Sequence, residues 1–489
     1  MTVCDIITLM EKQKNVMFIN VDQWPGNLMG YRGRADIMTP TLDFLASNGI
    51  AMENAYSECP VCIPARRTLM TGLSPRRHGD RVYSDTMRMP DAVTLAQAFS
   101  DAGYQCVATG KLHVYPQRSR IGFDEVILLE EGRSEFGVTD DYEIWLAEHG
   151  KPGRQFLHAM GNNTYYTRPW HLDEESHDTT WLTEQMMRQI ARRDPDRPFF
   201  FYLSYPGPHP PLVPLKTFWD KYSDVALSDP LKDDWKDAWV LDEFRKIAAP
   251  YSQKERQDAR RAFHAQCTHI DYSIRLVLGA LREHGVLEDT IIVFASDHGD
   301  MLFDHGMAAK RLMYESSASV PLIFSGYPML EYRDRGYEKK LCTLADVMPS
   351  LLDLCGIPAP QDIDGISVFS EKKHDWIYGE ISEGNLATRM IRRGKWKLIW
   401  YPAGNVFQLF DLEKDRNEYH DLSSDPSCSE VLSELKELLV SSLYGDDLEW
   451  VDNGVLKGFA PDKKPGRPNF GLLNQRGSHW PPPETGYSH

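Results

Sequence analysis

The sequence Cys62-Ile-Pro-Ala-Arg66-Arg-Thr-Leu-Met-Thr71-Gly72 combines a thiol, a turn-forming proline and a cation at the start of a helix-forming run. Proline fixes φ near the value that a first helical turn requires, and Ala65 to Met70 are good helix formers. Cys62 is therefore predicted to lie just before a helix N-terminus, where N–H groups favour an anion. Arg66, one turn into the helix, can point back toward that anion. Group transfer from sulfate or phosphate requires a nucleophile beside such a site.

Other interpretations of this cysteine remain open on the residues alone. Cys59 and Cys62 form a Cys-x-x-Cys pair, which is typical of redox sites or of half a zinc site. No second Cys-x-x-Cys follows, and neither site needs the Pro-x-Arg that comes next. A lone buried cysteine is also common in protein cores.

Composition excludes some classes of partner. The 489 residues are 42% hydrophobic and 26% charged, as in ordinary globular proteins, and the net charge is -17. This charge argues against nucleic acid and anionic membranes as partners, so an anionic substrate needs locally concentrated cations. The eight cysteines show no disulfide rhythm, and the sequence has no basic leader or membrane-length apolar run. We predict a soluble, cytoplasmic protein.

Apolar runs separated by capped helices predict an α/β fold with a large, mostly parallel sheet between helices. The run Asn15 to Val21 (NVMFINV) is typical of a buried parallel strand that opens into a polar loop. Residues 104–109, 198–204 and 290–295 predict further strands of this kind. Residues 115–178 lose this periodicity while aromatic residues and histidines accumulate. They are predicted to shape the substrate pocket, and a solvated excursion is the alternative.

The pattern changes near His374, where short strands follow one another closely. Residues 376–380, 387–392, 396–401 and 407–411 predict an antiparallel sheet, which a helix over 429–443 covers. We therefore predict a catalytic domain over 1–373 and a small α+β subdomain over 374–456. The Pro/Gly-rich tail, 457–489, is predicted to be irregular, either disordered or laid along a surface such as a neighbouring subunit's.

Polar residues follow the predicted parallel strands at equivalent ends. Each has an ordinary explanation when taken singly, such as a helix cap, a surface lysine or a packed histidine. Their coincidence at the ends of successive strands indicates a common site. The residues concerned are Asp22, Gln23, Lys111, His113, His209, Asp297 and His298, with Lys310 in a following loop.

Cys-x-Pro-x-Arg followed by Thr-Gly resembles the signature of type I, formylglycine-dependent sulfatases of the alkaline phosphatase superfamily. In that family the cysteine is oxidised to formylglycine, whose hydrate is the nucleophile. Ala65 stands where the family usually has serine, a departure that the family tolerates. The resemblance covers nearly the whole chain, from Asn15 to the C-terminal strands.

The resemblance implies a role for each polar residue. A divalent cation would be bound by Asp22, Gln23, Asp297, His298 and an oxygen of the modified Cys62. Ca²⁺ suits such a site best, with Mg²⁺ or Mn²⁺ as alternatives. Gln23 and His298 replace the more frequent Asp and Asn, as in choline sulfatases and phosphonate monoester hydrolases. The cationic cradle would comprise Arg66, Lys111, His113, His209 and Lys310, with His209 and Lys310 protonating the leaving group and His113 accepting a proton from the nucleophile.

The resemblance thus implies a sulfatase that hydrolyses an aryl, carbohydrate or small alkyl sulfate to an alcohol and sulfate. Its partners would be the sulfate ester and a formylglycine-generating or anaerobic maturation enzyme, with a homo-oligomer through the C-terminal tail. The rival within the superfamily is a phosphonate monoester or phosphodiester hydrolase with the same nucleophile. The rival from another class is a non-catalytic metal- or redox-binding protein built on Cys59 and Cys62.

Overall fold

A computed structural model describes residues 13–132, 139–235 and 238–462. Its largest element is an eight-stranded sheet in the order β4-β3-β5-β1-β6-β7-β2-β8. The pairs on either side of β1 are parallel, whereas β7 runs antiparallel to both of its neighbours. The strands are β1 (Asn15–Asp22), β2 (Ile50–Tyr56), β3 (Gln105–Gly110), β4 (Glu125–Leu128), β5 (Phe199–Pro208), β6 (Thr290–Ser296), β7 (Leu322–Ser325) and β8 (Tyr337–Thr343).

Helices cover both faces of this sheet. Leucine and isoleucine side chains of α1, α6 and α9 pack in the core cluster on one face, and those of α2, α4 and α11 pack in the cluster on the other. The helices are α1 (Pro40–Ser47), α2 (Cys62–Thr71), α3 (Pro75–His78), α4 (Leu95–Asp101), α5 (Asp141–Glu148), α6 (Asp178–Arg192), α7 (Lys216–Asp220), α8 (Trp239–Ala248), α9 (Gln253–Glu283), α10 (Glu315–Ala318), α11 (Val347–Leu354) and α12 (Ser429–Ser442).

The apolar run of β1 explains why this strand lies in the middle of the sheet. Alternate residues of a strand face opposite sides. Met17 and Ile19 belong to the core cluster on one face, whereas Val16 and Phe18 belong to the cluster on the other. A strand with both faces buried is continuously hydrophobic, as the sequence predicts.

The C-terminal part of the chain forms a smaller antiparallel sheet in the order β12-β11-β10-β9. One of its faces packs against a cluster that includes Cys59 and Val61, so this sheet supports the segment leading into α2. Leucines of α12 cover the other face. The strands are β9 (Trp376–Ile381), β10 (Thr388–Arg393), β11 (Trp396–Tyr401) and β12 (Val406–Asp411), followed by a two-stranded ribbon of β13 (Val451–Asp452) and β14 (Val455–Leu456).

The predicted fold class is confirmed, and the differences concern individual elements. Helix α2 begins at Cys62 itself rather than after it. The segment over 115–178, predicted to be irregular, contains β4 and α5, and the sequence did not predict β8 or α8. The described structure does not include residues 1–12, 133–138, 236–237 and 463–489. Most of the predicted tail, 457–489, therefore lies outside it. Among the described helices, none is long and apolar enough to cross a membrane.

Candidate active site

The site lies at the carboxyl ends of four adjacent parallel strands, β3, β5, β1 and β6. Asp22 ends β1, and Asp297 with His298 follows β6 directly. Lys111 follows β3, and His209 follows β5. The strand order therefore brings together residues that are far apart in sequence, as the strand-end pattern predicts.

Cys62 is the first residue of α2 and is buried, at 1% exposure. Val61, the N-cap residue of α2, has an extended backbone. Its side chain packs with residues of the small antiparallel sheet, so the helix begins directly after that contact. The sulfur of Cys62 lies 3.2 Å from Nε2 of His298 and 3.6 Å from Oδ1 of Asp22. The first residue of α2 thus contacts the strand-end cluster.

Ligand atoms of Asp22, Cys62, Asp297 and His298 all lie within 4.8 Å of one another. Nδ1 of His298 donates to the carbonyl of Gly299 at 2.9 Å, so Nε2 is the nitrogen that faces the cluster and that can bind a metal ion once it releases its proton. Metal-binding histidines usually have this orientation. Burial opposes protonation of His298, but Asp297 and the Cys62 sulfur outweigh it and raise its pKa to about 9. The donor set and the local negative charge both fit a divalent cation.

Gln23, the fifth predicted metal ligand, adjoins this cluster in a left-handed conformation with φ 73°. Its backbone N–H donates to Oδ1 of Asp297 at 3.1 Å. Its Nε2 donates to the hydroxyl of Tyr165 and to Asp300, and its Oε1 accepts from Nζ of Lys310 at 2.6 Å. These contacts turn the amide oxygen of Gln23 toward Lys310 and its amide nitrogen toward Tyr165 and Asp300.

Arg66 uses its guanidinium to hold the cluster together. Nε donates to Asp297 at 2.9 Å, and NH2 lies 3.3 Å from Asp22. NH1 donates to the carbonyl of Lys111 and to the hydroxyl of Ser204. The sequence predicted that Arg66 points toward a substrate anion; its hydrogen bonds instead orient the carboxylates of the candidate metal site.

Lys111 adds a second buried cation. Its Nζ lies 2.7 Å from Oδ2 of Asp22 and 2.8 Å from Oε2 of Glu131. Burial alone would raise the pKa of Asp22, but the nearby cations Lys111 and Arg66 hold it well below its usual value. Lys111 thus places a buried cation beside the candidate metal cluster, in a chain whose net charge is -17.

His209 and Lys310 form a pair beside Gln23. Nζ of Lys310 lies 2.6 Å from Nε2 of His209, and Nδ1 of His209 lies 2.6 Å from the carbonyl of Pro210. A carbonyl only accepts, so Nδ1 carries the proton and Nε2 accepts from the lysine. Burial and the nearby Lys310 lower the pKa of His209 well below its usual value, which agrees with a neutral imidazole.

His113 has contacts of a different kind. Its Nε2 lies 3.2 Å from the hydroxyl of Tyr83, and its backbone N–H donates to Glu130 at 3.0 Å. The Tyr83 ring in turn lies beneath the guanidinium of Arg311. The predicted role of His113 as a proton acceptor stays a prediction.

The two cysteines of the Cys-x-x-Cys pair have different surroundings. Both are free thiols. Burial raises the pKa of Cys59, and Asp80 adds to the effect. Burial and Asp22 also raise the pKa of Cys62, but Lys310, His298 and Lys111 outweigh them and lower it. Cys62 belongs to the candidate metal cluster, whereas the sulfur of Cys59 packs in an apolar cluster.

Sequence reasoning did not identify three residues that contact the site. Asp300 and Tyr165 bind the amide of Gln23, and Glu131 binds Lys111. Asp300 lies in the run Asp297-His298-Gly299-Asp300 at the end of a predicted strand, and this position could have indicated a site residue. Tyr165 and Glu131 lie in the aperiodic segment, where no sequence pattern indicates a contact with Gln23 or Lys111.

Comparisons with known proteins agree with this geometry. A family model described as sulfatase matches residues 14–357. The chain belongs to the sulfatase family, within the alkaline phosphatase superfamily. As a sulfatase it is a sulfuric ester hydrolase. A second model, for the C-terminal region of N-sulphoglucosamine sulphohydrolase, matches residues 303–443.

Individual relatives of this sulfatase include an arylsulfatase of Clostridium perfringens, 34% identical over 469 residues, or 91% of this chain and 98% of the relative. A choline-sulfatase of Rhizobium meliloti is 31% identical over 449 residues, covering 84% and 83%. The crystal structure of a phosphonate monoester hydrolase of Agrobacterium radiobacter has a TM-score of 0.74 at 21% identity, covering 88% of this chain and 95% of that one. The last likeness concerns the fold alone.

Proposed function

We propose that this sulfatase hydrolyses a sulfate monoester of an aryl, carbohydrate or small alkyl alcohol with formylglycine made from Cys62. The observation that carries the proposal is the position of Cys62. Its sulfur lies at a helix N-terminus, beside a cluster that fits a cation and next to buried Arg66 and Lys111. An oxygen nucleophile at this position would face an anionic group held by the bound cation and by Lys111.

Each charged group has a distinct part in this proposal. Asp22, Gln23, Asp297 and His298 would hold the divalent cation, with Ca²⁺ as the first candidate and Mg²⁺ or Mn²⁺ as alternatives. When bound, the cation would acidify the nucleophile and offset charge on the sulfuryl oxygens. Arg66 holds two of the ligand carboxylates in place. Lys111 supplies positive charge for the equatorial oxygens.

Lys310 and His209 would assist departure of the alcohol. The lysine ammonium donates to Nε2 of His209, so it has a proton to give to the leaving oxygen, and the histidine keeps it oriented. General acid catalysis of this kind is worth about 10² to 10⁴ in rate. His113, close to Tyr83, would accept the proton of the second hydroxyl of the formylglycine hydrate.

The rival activity is hydrolysis of a phosphonate monoester or phosphodiester by the same nucleophile. A sulfate monoester carries one negative charge on the transferred group, and its transition state moves charge to the leaving oxygen. Lys111 and Lys310 provide two cations for that distribution. A diester-like substrate needs room for a second substituent, which Lys111 and His113 would crowd.

Measuring kcat/KM for phenyl sulfate and for the matching phenyl phosphonate ester, with one enzyme preparation, tests the proposal. We expect the sulfate to be preferred, and Lys111→Ala to reduce sulfate turnover about a hundredfold, as loss of one oxyanion donor does. A clear preference for the phosphonate would overturn the proposed function in favour of its rival.

The cell compartment and the partners belong to the same proposal. The seven cysteines of the described chain are free thiols, which favours a reducing compartment such as the cytoplasm. A maturation enzyme that oxidises Cys62 is required, and the C-terminal tail, 457–489, is proposed to mediate a homo-oligomer.

A further inference from the structure

A pocket of about 780 Å³ lies between the first turns of α9 and the loop over 225–232. We call it the α9 pocket and define it by Lys232, Arg256, Gln257, Arg260 and Arg261. Small-molecule sites usually measure roughly 300 to 1,000 Å³. A water molecule takes up about 30 Å³, so an inorganic anion would fill only a small part of this volume. The pocket therefore has room for an organic ligand such as a short saccharide.

Helical spacing places the pocket-lining residues of α9 on one face. Arg256 and Arg260 are four residues apart, and Arg261 follows directly. Gln253 and Gln257 are also four residues apart and line the same pocket. Residues three or four apart are neighbours on a helix surface. The helix thus presents guanidinium and amide groups side by side.

The charges that line the α9 pocket are mostly positive, in a chain whose net charge is -17. The four cations are those of Lys232, Arg256, Arg260 and Arg261, and the acidic residue among the described lining residues is Asp229. Within the described ranges, no ion pair joins Asp229 to these cations. Such an excess of positive charge at one place in an acidic protein attracts anions.

Two of the arginines have hydrogen-bond donors without a partner. Nε of Arg260 and Nε of Arg261 are buried and unpaired in the part of the chain that the structure describes. Arg260 is 5% exposed, and its NH1 lies 3.5 Å from Asp304. The guanidinium of Arg261 makes no ion pair with a described residue and lies 5.9 Å from the centre of the Trp219 ring. Because unpaired donors of a charged group are costly to bury, an anionic acceptor is favoured here.

The aromatic residues of the α9 pocket are already covered. Phe303 is 2% exposed, and the guanidinium of Arg256 lies over its ring at 5.5 Å. Tyr251 is 8% exposed. A ligand that needs to stack therefore meets no open ring among the described lining residues. Gln253 and Gln257 are exposed, and their amides can both donate to and accept from hydroxyl groups. The pocket thus favours an anion that carries hydroxyl groups over an aromatic anion.

Tyr165 separates the α9 pocket from the candidate metal cluster. Its ring lies 5.5 Å from that of Phe303 and 6.1 Å from that of Tyr251, which both line the pocket. Its hydroxyl binds Gln23 and Asp300 on the other side. A layer of aromatic side chains would therefore lie between a ligand in the pocket and the metal ion.

We propose that the α9 pocket binds a saccharide that carries sulfate or carboxylate groups. The anionic groups would meet Lys232, Arg256 and Arg261, and the hydroxyl groups would meet the glutamine amides. The inference goes beyond the proposed function, because none of these residues belongs to the candidate active site and binding here requires no formylglycine. A free inorganic anion shares part of this chemistry, and the experiment separates the two.

Isothermal titration calorimetry with the full 489-residue chain carrying Cys62→Ala tests the proposal, because this variant does not hydrolyse the probes. The probes are sucrose octasulfate, inorganic sulfate and sucrose, at low ionic strength. We expect sucrose octasulfate to bind at least tenfold more tightly than sulfate, and sucrose to show no measurable binding. Added NaCl should weaken the binding of sucrose octasulfate, because salt screens charges at an open pocket.

Further substitutions in the Cys62→Ala chain assign this binding to the α9 pocket. Lys232→Gln combined with Arg261→Gln removes two cations and should weaken sucrose octasulfate binding at least tenfold. Asp229→Asn removes the opposing carboxylate and should strengthen it about threefold. Arg275→Gln, at an exposed position of α9 outside the pocket, is the matched control and should leave the affinity unchanged. In formylglycine-containing enzyme, the double substitution should leave kcat/KM for phenyl sulfate unchanged.

An unchanged affinity in the double variant would overturn the inference, since the probe would then bind elsewhere. Equal affinity for sucrose would exclude a role of charge, and equal affinity for sulfate would reduce the pocket to a site for small anions. Either result would overturn the proposed ligand. If the double variant does not fold, Lys232→Gln alone and Asp229→Asn decide the matter by shifting the affinity in opposite directions. None of these outcomes bears on the proposed function, because the titrations use a chain without the nucleophile.

Discussion

Nζ of Lys310 lies 2.6 Å from Nε2 of His209, and the same nitrogen lies 2.6 Å from Oε1 of Gln23. Because His209 directs its other ring nitrogen at a carbonyl, the imidazole accepts from the lysine rather than donating to it. The proton available for a leaving group therefore resides on Lys310. Lys310 thus joins His209 to Gln23, which adjoins the candidate metal cluster.

Lys310→Met should slow esters with poor leaving groups far more than esters with good ones, because only a basic alkoxide needs a proton as it departs. We expect a loss of about a hundredfold for phenyl sulfate and much less for 4-nitrophenyl sulfate. A plot of kcat/KM against the pKa of the leaving phenol measures this as a steeper slope. Lys216→Met, at a surface lysine, is the control. Equal losses across the series would remove Lys310 from the proton-transfer role.

Asp22→Asn should abolish metal binding while preserving side-chain shape. Asp22 is fully buried, and its carboxylate balances Lys111 and Arg66. The amide carries no charge to offset a divalent cation, so we expect metal content to fall to background and activity to fall more than about a hundredfold. Elemental analysis after desalting measures the first effect. Asp271→Asn alters a buried carboxylate that binds backbone N–H groups elsewhere and should keep the metal. Full metal content in Asp22→Asn would refute the site.

Tyr165→Phe tests whether the hydroxyl of Tyr165 positions the side chain of Gln23. The hydroxyl accepts from Nε2 of Gln23 at 3.1 Å and donates to Asp300 at 2.5 Å. Without it the amide of Gln23 loses one of the three side-chain contacts that orient it, so metal affinity should fall about 10- to 100-fold while excess metal restores kcat. A metal titration of activity measures this. Tyr166→Phe, in the neighbouring ring packed on Tyr251, should titrate like wild type. Coincident titrations for Tyr165→Phe and wild type would exclude the positioning role.

Glu58→Gln should stabilise the protein at high pH. Burial raises the pKa of Glu58 from 4.5 to about 8, with Asp346 adding to the rise and His374 opposing it. Between these values the folded protein retains a proton that the unfolded chain has lost, so the free energy of unfolding falls as pH rises. The glutamine has no such loss. We expect its Tm to exceed that of wild type by about 3 °C or more at pH 8 and to match it near pH 4.5.

Thermal unfolding at several pH values measures this difference, with Glu288→Gln as a control at an exposed position. A Tm difference that stays constant from pH 4.5 to pH 8 would mean that Glu58 is ionised in the folded protein at neutral pH.

The strand-end residues were predictable because their strands are buried on both faces. Runs such as that of β1 have no other stable position than the middle of a sheet, and the residues after them must then meet at one edge. The apolar pattern alone therefore places Asp22, Lys111, His209 and Asp297 at a common edge. The family resemblance supplied their chemical roles, which the apolar pattern does not encode.

Other features could not be predicted for identifiable reasons. Strand β8 (Tyr337–Thr343) contains adjacent charged residues and lies at the sheet edge, so it lacks the apolar run of a central strand. Tyr165 lies between short turns in a segment without periodicity, and its contact with Gln23 depends on tertiary packing. The sequence also could not predict that Arg66 binds carboxylates. Its position on a helix fixes the direction of the side chain but does not identify the group that it meets.

The mass of the peptide that contains residue 62, taken from a preparation of known specific activity, tests the central claim most directly. We predict that Cys62 has lost its sulfur and gained an oxygen, and that the residue reacts with hydrazide probes. The modified fraction should rise in proportion to specific activity, and Cys62→Ala should be folded but inactive. An unmodified Cys62 thiol in fully active enzyme would contradict the proposed mechanism.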